Sequence, residues 1–178
     1  RLGFSPSRTM GIAQKLYEHG HISYMRTDST NLGREAIENI KKEIVKKYGQ
    51  ELFEFRQYKS RVKNAQEAHE AIRPTNPLAE LLGSNEDEKK IYRLIWQRTI
   101  ASQMKDAEIL KTKIVSNIES KTIPNFQTNG SRIVSPGWLL VDPQARGEEI
   151  ELPKVKAGEK LDLVEIKSEK KQTEPPNR

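Results

Sequence analysis

Near residue 108 the hydrophobic period of the chain changes, and that change fixes the class of fold. Upstream, apolar residues recur at helical spacing: Met10, Ala13, Leu16 and Tyr17, then Ile37, Ile40, Ile44, Val45 and Tyr48, then Ile91, Leu94, Ile95 and Ile100 beside Tyr92, Trp96 and Met104. Downstream, short alternating runs take over at 113–115, 122–123, 132–134, 138–141 and 161–166. Turn-forming residues separate them at Pro124, Asn129-Gly130, Pro136-Gly137, Pro143, Pro153 and Gly158. Helices followed by strands predict an α+β protein, with a helical unit over 1–108 and a β unit over 109–178. At 178 residues the chain is long enough for one domain with a real core or for two small ones.

Capping signals place the helices. Ser5 reads as an N-cap with Pro6 at the first helical position, and Gly20 as the stop. Residues 21–25 read as a short extended piece, and Asp28, Ser29, Thr30 and Asn31 are all candidate caps for a second helix that Gly49 ends. Helix, glycine turn, extended piece and helix make a helix-turn-helix-like unit. Residues 50–65 read as a polar, basic loop, 66–72 as a turn or two of helix stopped by Arg73-Pro74, and 86–105 as the clearest helix, with Glu86, Asp87 and Glu88 at its start.

The net charge of +6 and pI near 9.4 favour an anionic partner, nucleic acid being the commonest. Lys41, Lys42, Lys46 and Lys47 read as a solvated helix face able to touch phosphates. The absence of cysteine excludes disulfides and thiolate metal sites in this chain. No apolar run approaches the roughly 20 residues that cross a bilayer, and no secretory leader pattern is visible; the lack of cysteine fits an intracellular protein. The first residue is not Met and 168–178 is polar and contains proline, which suggests a piece of a longer protein.

Chemistry concentrates in two blocks, HISYMRTDSTN at 21–31 and AQEAHEAIRPT at 65–75. A free phenol, with a pKa of about 10, is a poor nucleophile at neutral pH and needs a cation or base beside it. In an extended strand Tyr24 and Arg26 share a face with Ile22, and Arg26 can then fork onto phosphate oxygens and stabilise the charge that develops during attack. The same spacing also describes a half-buried strand tyrosine beside a solvated arginine. Thr27 to Thr30 supply hydroxyls and a helix start that could receive a phosphate, although Asp28 there favours capping. His69 and Arg73 share a face if their segment is helical, and the histidine can donate to a phosphate or shuttle a proton. Glu67 and Glu70 flank it without forming a metal constellation, and no Asp-x-Asp cluster occurs.

The stretch SRTMGIAQKLYEHGHISYMRTDSTNL followed by AQEAHEAIRPT resembles the active-site region of type IA DNA topoisomerases, and the ending TEPPNR resembles the segment before that family's next core motif. Within the family the Tyr-Met-Arg-Thr-Asp-Ser form is more like bacterial topoisomerase I than topoisomerase III or the topoisomerase half of reverse gyrase. The resemblance implies that Tyr24 forms a transient 5′-phosphotyrosine and that Arg26 positions the scissile phosphate. It also implies that Arg26, Thr27, His69 and Arg73 contact DNA. The helical unit would carry the tyrosine and the β unit would be part of an arch. The implied reaction cleaves one strand, passes another and reseals it, relaxing negative supercoils without ATP. The implied partners are single-stranded and negatively supercoiled DNA in the nucleoid, together with a Toprim domain and flanking domains of the same protein. The implied cofactor is Mg2+ held by acidic residues of that Toprim domain. Nothing in this chain matches the Toprim cluster, so no metal ligand is assigned here and the chain alone is expected to cleave DNA poorly. Two other readings compete. A helix-turn-helix-like DNA-binding module explains charge and helices but gives Tyr24 no task. A tyrosine recombinase would want His-x-x-Arg, whereas His69 and Arg73 are separated by three residues.

Overall fold

The computed structural model describes residues 1–58, 70–118 and 122–173. The architecture is α+β. Three helices, α1 (Pro6–Glu18), α2 (Arg34–Tyr48) and α3 (Glu86–Ala101), precede an antiparallel ribbon of β1 (Glu108–Ser116) and β2 (Phe126–Ser135). Short 3-10 turns lie at Gln50–Leu52, Gly137–Leu140 and Pro143–Ala145. No helix among the described residues is long and apolar enough to cross a membrane.

The first helix begins as its sequence dictates. Ser5 Oγ accepts from the Arg8 amide, Pro6 occupies the first turn, and Gly20, at φ +72°, turns the chain beyond the His19 cap. The third helix also starts on its signals, though it ends at Ala101, short of the expected 105. Asn85 caps the Glu88 amide and three acidic residues fill the first turn, where the helix dipole favours them. The second helix departs from expectation. Its N-cap is Gly33, with no side-chain cap bond, and none of Asp28, Ser29, Thr30 or Asn31 reaches the helix start. The hydroxyls of Thr27 and Ser29 are spent on the loop itself, accepting from the Ser29 and Asn31 amides.

Both α1 and α2 pack against α3, so the helix-turn-helix-like pair is organised around the third helix. The core joins Leu16 of α1, Ile40 and Ile44 of α2, and Ile91, Tyr92, Trp96 and Ile100 of α3 with Ile22, Met25 and Met104. Two polar tips in this core are satisfied by the 76–79 turn: Trp96 Nε1 donates to Pro77 O (2.7 Å) and Tyr92 Oη to Ala79 O (2.7 Å). Burial pushes the Tyr92 hydroxyl up to about 12. The lysine face of α2 is not wholly solvated. Lys47 lies 4.9 Å over the Trp96 ring and pairs with Glu43 (2.7 Å) and Glu80 (3.0 Å), while Lys41 sits over Phe53.

The β region carries fewer strands than its alternation predicts. Residues 113–115 and 132–134 fall in β1 and β2, which pair from Ile109↔Ile133 to Ser116↔Phe126. Residues 122–123 form a turn and bend, and 161–166 run without strand pairing, exposed. Trp138 to Leu140 lie in a 3-10 turn because Gly137, at φ +45°, folds the chain back onto the helices. A Cβ there would collide with the Asp106 carbonyl oxygen, so only glycine allows this approach. Trp138 N then donates to Lys105 O (3.0 Å), and Gln97 Nε2 to Val141 O (3.0 Å), drawing Val141 into the helical core. The segment 50–58 is tied down similarly. The buried Gln103 side chain donates to Arg56 O (2.9 Å) and accepts from the Arg56 amide (3.2 Å).

Removing the indole should collapse this core. Trp96→Ala is expected to lose about 3–5 kcal/mol in urea unfolding followed by circular dichroism. Glu88 sets an acid limit. A hydrogen bond from the Ser84 amide holds its carboxyl below the usual range, burial opposes this, and the Asn85 side-chain amide assists. A depressed folded value stabilises fully above the unfolded value of about 4.3, and the gain is lost as pH falls through the folded value. Glu88→Gln is therefore expected to lower the melting temperature at neutral pH, with the gap to the parent chain closing in acid.

Candidate active site

Residues 20–33 form a loop fastened at both ends to a second segment, 70–75. On the first side, Ser23 N donates to Arg73 O (2.8 Å) and Thr75 N to His21 O (3.0 Å), and Ile22 and Pro74 form an antiparallel bridge. Thr75 Oγ1 adds a bond to Gly20 O (2.7 Å). Ser23 is the hub. Its hydroxyl donates to Ala71 O (2.8 Å) and accepts from the Arg73 amide (2.9 Å). On the far side, Ala71 N donates to Asn31 O (2.7 Å), and Glu70 Oε1 accepts from the Gly33 amide (2.7 Å). A side chain at Gly33 would occupy the space of that carboxylate oxygen.

Tyr24 and Arg26 lie between these fastenings. The extended strand expected over 21–25 reduces to a single bridge at Ile22, after which the chain bends. Ile22 therefore does not share a face with Tyr24. It is buried, and Met25 turns inward as a second anchor. Tyr24 and Arg26 emerge on either side of Met25. Tyr24 is 47% exposed, and its ring meets Tyr17 of α1 edge-on, centroids 5.3 Å apart. Its hydroxyl has no hydrogen-bond partner among the described residues, and neither does the exposed guanidinium of Arg26.

The other predicted site residues have different surroundings. Thr27 spends its hydroxyl on the Ser29 amide (3.1 Å). His69 lies outside the described residues. The helix expected over 66–72 can be judged only from Glu70 onward, and Glu70 to Ile72 are irregular, because their backbone pairs with the tyrosine loop instead. Arg73 is not free. Its Nε and Nη2 both donate to Glu70 Oε2 (2.9 and 2.7 Å) and its Nη1 to Pro74 O (3.2 Å). The structure thus brings Tyr24, Arg26 and Thr27 onto one loop and puts Arg73 into the brace beneath it. Sequence reasoning overlooked Ser23, Glu70 and Thr75 as braces, and Tyr17 as neighbour. Their partners lie about fifty residues away for Ser23 and Thr75, so no local periodicity marks them.

The arrangement has a chemical consequence. A phosphodiester placed here would meet an accessible phenol and, two residues on, a guanidinium, neither of them bonded to another of the described residues. Among the described residues, no group of three or more His, Cys, Asp or Glu side chains could hold a metal ion.

Ser23→Ala would leave the Ala71 carbonyl and the Arg73 amide without their side-chain partner. A loss of roughly 1–3 kcal/mol is expected in urea unfolding, with Ser23→Thr retaining most of the stability because it keeps the hydroxyl.

A family described as DNA topoisomerase matches residues 1–178. DNA topoisomerase 1 of Mycolicibacterium smegmatis is 42% identical over all of this chain and 21% of its own length. DNA topoisomerase 1 of Vibrio cholerae is 40% identical over all of this chain and 20% of its own length. The prokaryotic-type DNA topoisomerase 1 of Acanthamoeba polyphaga mimivirus is 47% identical over 79% of this chain and 18% of its own length. The structure of full-length topoisomerase I from Thermotoga maritima superposes with a TM-score of 0.71 at 33% identity, covering 89% of this chain and 27% of that one. The chain thus spans about a fifth of the length of the curated relatives it matches.

Proposed function

The chain belongs to the type IA DNA topoisomerase family, on the bacterial topoisomerase I side, and from that premise we propose that Tyr24 is the nucleophile that opens one DNA strand. The observation carrying this reading is the presentation of Tyr24 and Arg26, neither bonded to another of the described residues, on a loop braced from both sides. The Tyr24 oxygen attacks the phosphorus and the bond from phosphorus to the 3′ oxygen breaks. The phenol gives up one proton and the departing 3′ hydroxyl gains one, so the exchange is balanced. The product is a 5′-phosphotyrosine that conserves the phosphodiester linkage, and the reverse attack reseals the strand without ATP. Arg26 orients the phosphate and stabilises the charge on its oxygens. Strand passage between these two steps relaxes negative supercoils. Thr27, His69 and Arg73 are proposed to lie along the DNA path, Arg73 acting mainly through its hold on the loop. A cytoplasmic, nucleoid-associated setting follows from such a substrate.

Magnesium belongs to the proposal as the cofactor of a Toprim domain outside this chain, together with the flanking domains as partners. On that basis the isolated chain should cleave DNA poorly, and efficient magnesium-dependent cleavage by the chain alone would count against it.

The reading is tested with single-stranded DNA labelled at its 3′ end, mixed with this chain, a separately made Toprim piece and Mg2+. Label is expected to stay on the protein in a denaturing gel and to vanish with Tyr24→Phe. Arg26→Ala is expected to slow adduct formation by about a hundredfold. A labelled adduct that survives Tyr24→Phe would overturn the assignment. Absence of any adduct, with the pieces shown to associate and bind DNA, would favour a non-catalytic DNA-binding module.

A further inference from the structure

Tyr17 sits at the C-terminal end of α1, seven residues before Tyr24 in sequence and edge-on to its ring at 5.3 Å, with the planes inclined at 68°. It is 42% exposed, although a large aromatic at helical spacing with Ala13 and Leu16 would ordinarily turn into the core, as both of those residues do. Its hydroxyl has no partner among the described residues. Met10, one heptad earlier on the same side of α1, is also exposed. Tyr17 thus offers exposed aromatic surface directly beside the Tyr24 phenol, and Arg26 adds, two residues beyond that phenol, a positive charge with no ion-pair partner among the described residues.

We propose that Tyr17 is a stacking platform for an unpaired nucleobase of the nucleotide flanking the phosphodiester that Tyr24 attacks. The proposal rests on the reading of Tyr24 as nucleophile. If the phosphorus is in reach of the Tyr24 oxygen, the flanking base lies about one nucleotide step away, within reach of a ring in van der Waals contact with Tyr24. Every base has a π-face, so stacking there tolerates sequence while demanding that the base be unpaired. Tyr17 keeps 42% of its surface exposed beside the T-shaped contact, enough for a base to stack without displacing Tyr24. Tyr17 is a binding residue in this account and takes no part in bond making.

The test uses the full chain and a short single-stranded oligonucleotide carrying 2-aminopurine, in the absence of metal so that no cleavage intervenes. Binding is read by anisotropy and stacking by quenching of the 2-aminopurine. With the parent chain, quenching is expected at one position of the oligonucleotide. Tyr17→Ala is expected to abolish it and weaken binding by about tenfold, and Tyr17→Phe, which keeps the ring, to restore both. An abasic site at the quenched position is expected to remove the difference between the parent and Tyr17→Ala. Equal weakening by Tyr17→Ala on intact and abasic oligonucleotides would overturn the proposal and leave Tyr17 as a support for the Tyr24 ring. Unchanged binding with Tyr17→Ala, or no binding by the parent chain, would also overturn it. Loss of Tyr24 as nucleophile would appear separately, in the adduct assay rather than in quenching.

Discussion

The backbone pairing between residues 20–23 and 73–75 is the constraint on which the rest of the site depends. An exposed loop of fourteen residues would otherwise sample many conformations, and each ordered residue costs about 1–2 kcal/mol of backbone entropy. Here the loop is shortened from both ends. Ser23 and Thr75 close it before the tyrosine, and Asn31, Gly33 and Glu70 close it after. The span left between them carries Tyr24 and Arg26, and Met25, buried between the two, pins its middle. Tyr24 and Arg26 are exposed on either side of that buried anchor.

That brace is only as firm as the body beneath it, and α3 supplies the body. Trp96 and Tyr92 fill the space between α1 and α2, and their polar tips hold the 76–79 turn that follows directly from the brace. One chain of contacts therefore runs from the α3 core through residues 76–79 and 73–75 to the tyrosine loop. The return at Gly137 adds a further layer, since Val141 joins the same core. Arg73 belongs to this scaffold: its guanidinium makes three bonds, two to Glu70 and one to the Pro74 carbonyl, whereas Arg26 has no such partner among the described residues.

How much of this was legible in the sequence follows from the range of the interactions. The first and third helices were readable because caps, first-turn charges and apolar stripes are local, as Ser5-Pro6 and the acidic run Glu86 to Glu88 illustrate. The second helix was readable in its body but not its start. Four good capping residues precede it, yet the loop uses the Ser29 hydroxyl, together with that of Thr27, and the helix opens at Gly33. Alternation misled at 138–141, where glycine geometry and a bond to Lys105 O win over strand propensity. Tyr24 and Arg26 stood out through a family motif. The pairing of Ser23 with Ala71 and Arg73 did not, because a hydroxyl in one segment says nothing about which carbonyl some fifty residues away will accept from it.

Native-state hydrogen exchange at three amides tests the central claim most directly. If the tyrosine loop is held by the 70–75 segment, the amides of Ser23, Arg73 and Thr75, which donate to Arg73 O, Ser23 Oγ and His21 O, should exchange nearly as slowly as the core amides of α3. Exchange of all three at rates close to an unstructured peptide, while α3 stays protected, would contradict the account and leave Tyr24 on an unbraced loop.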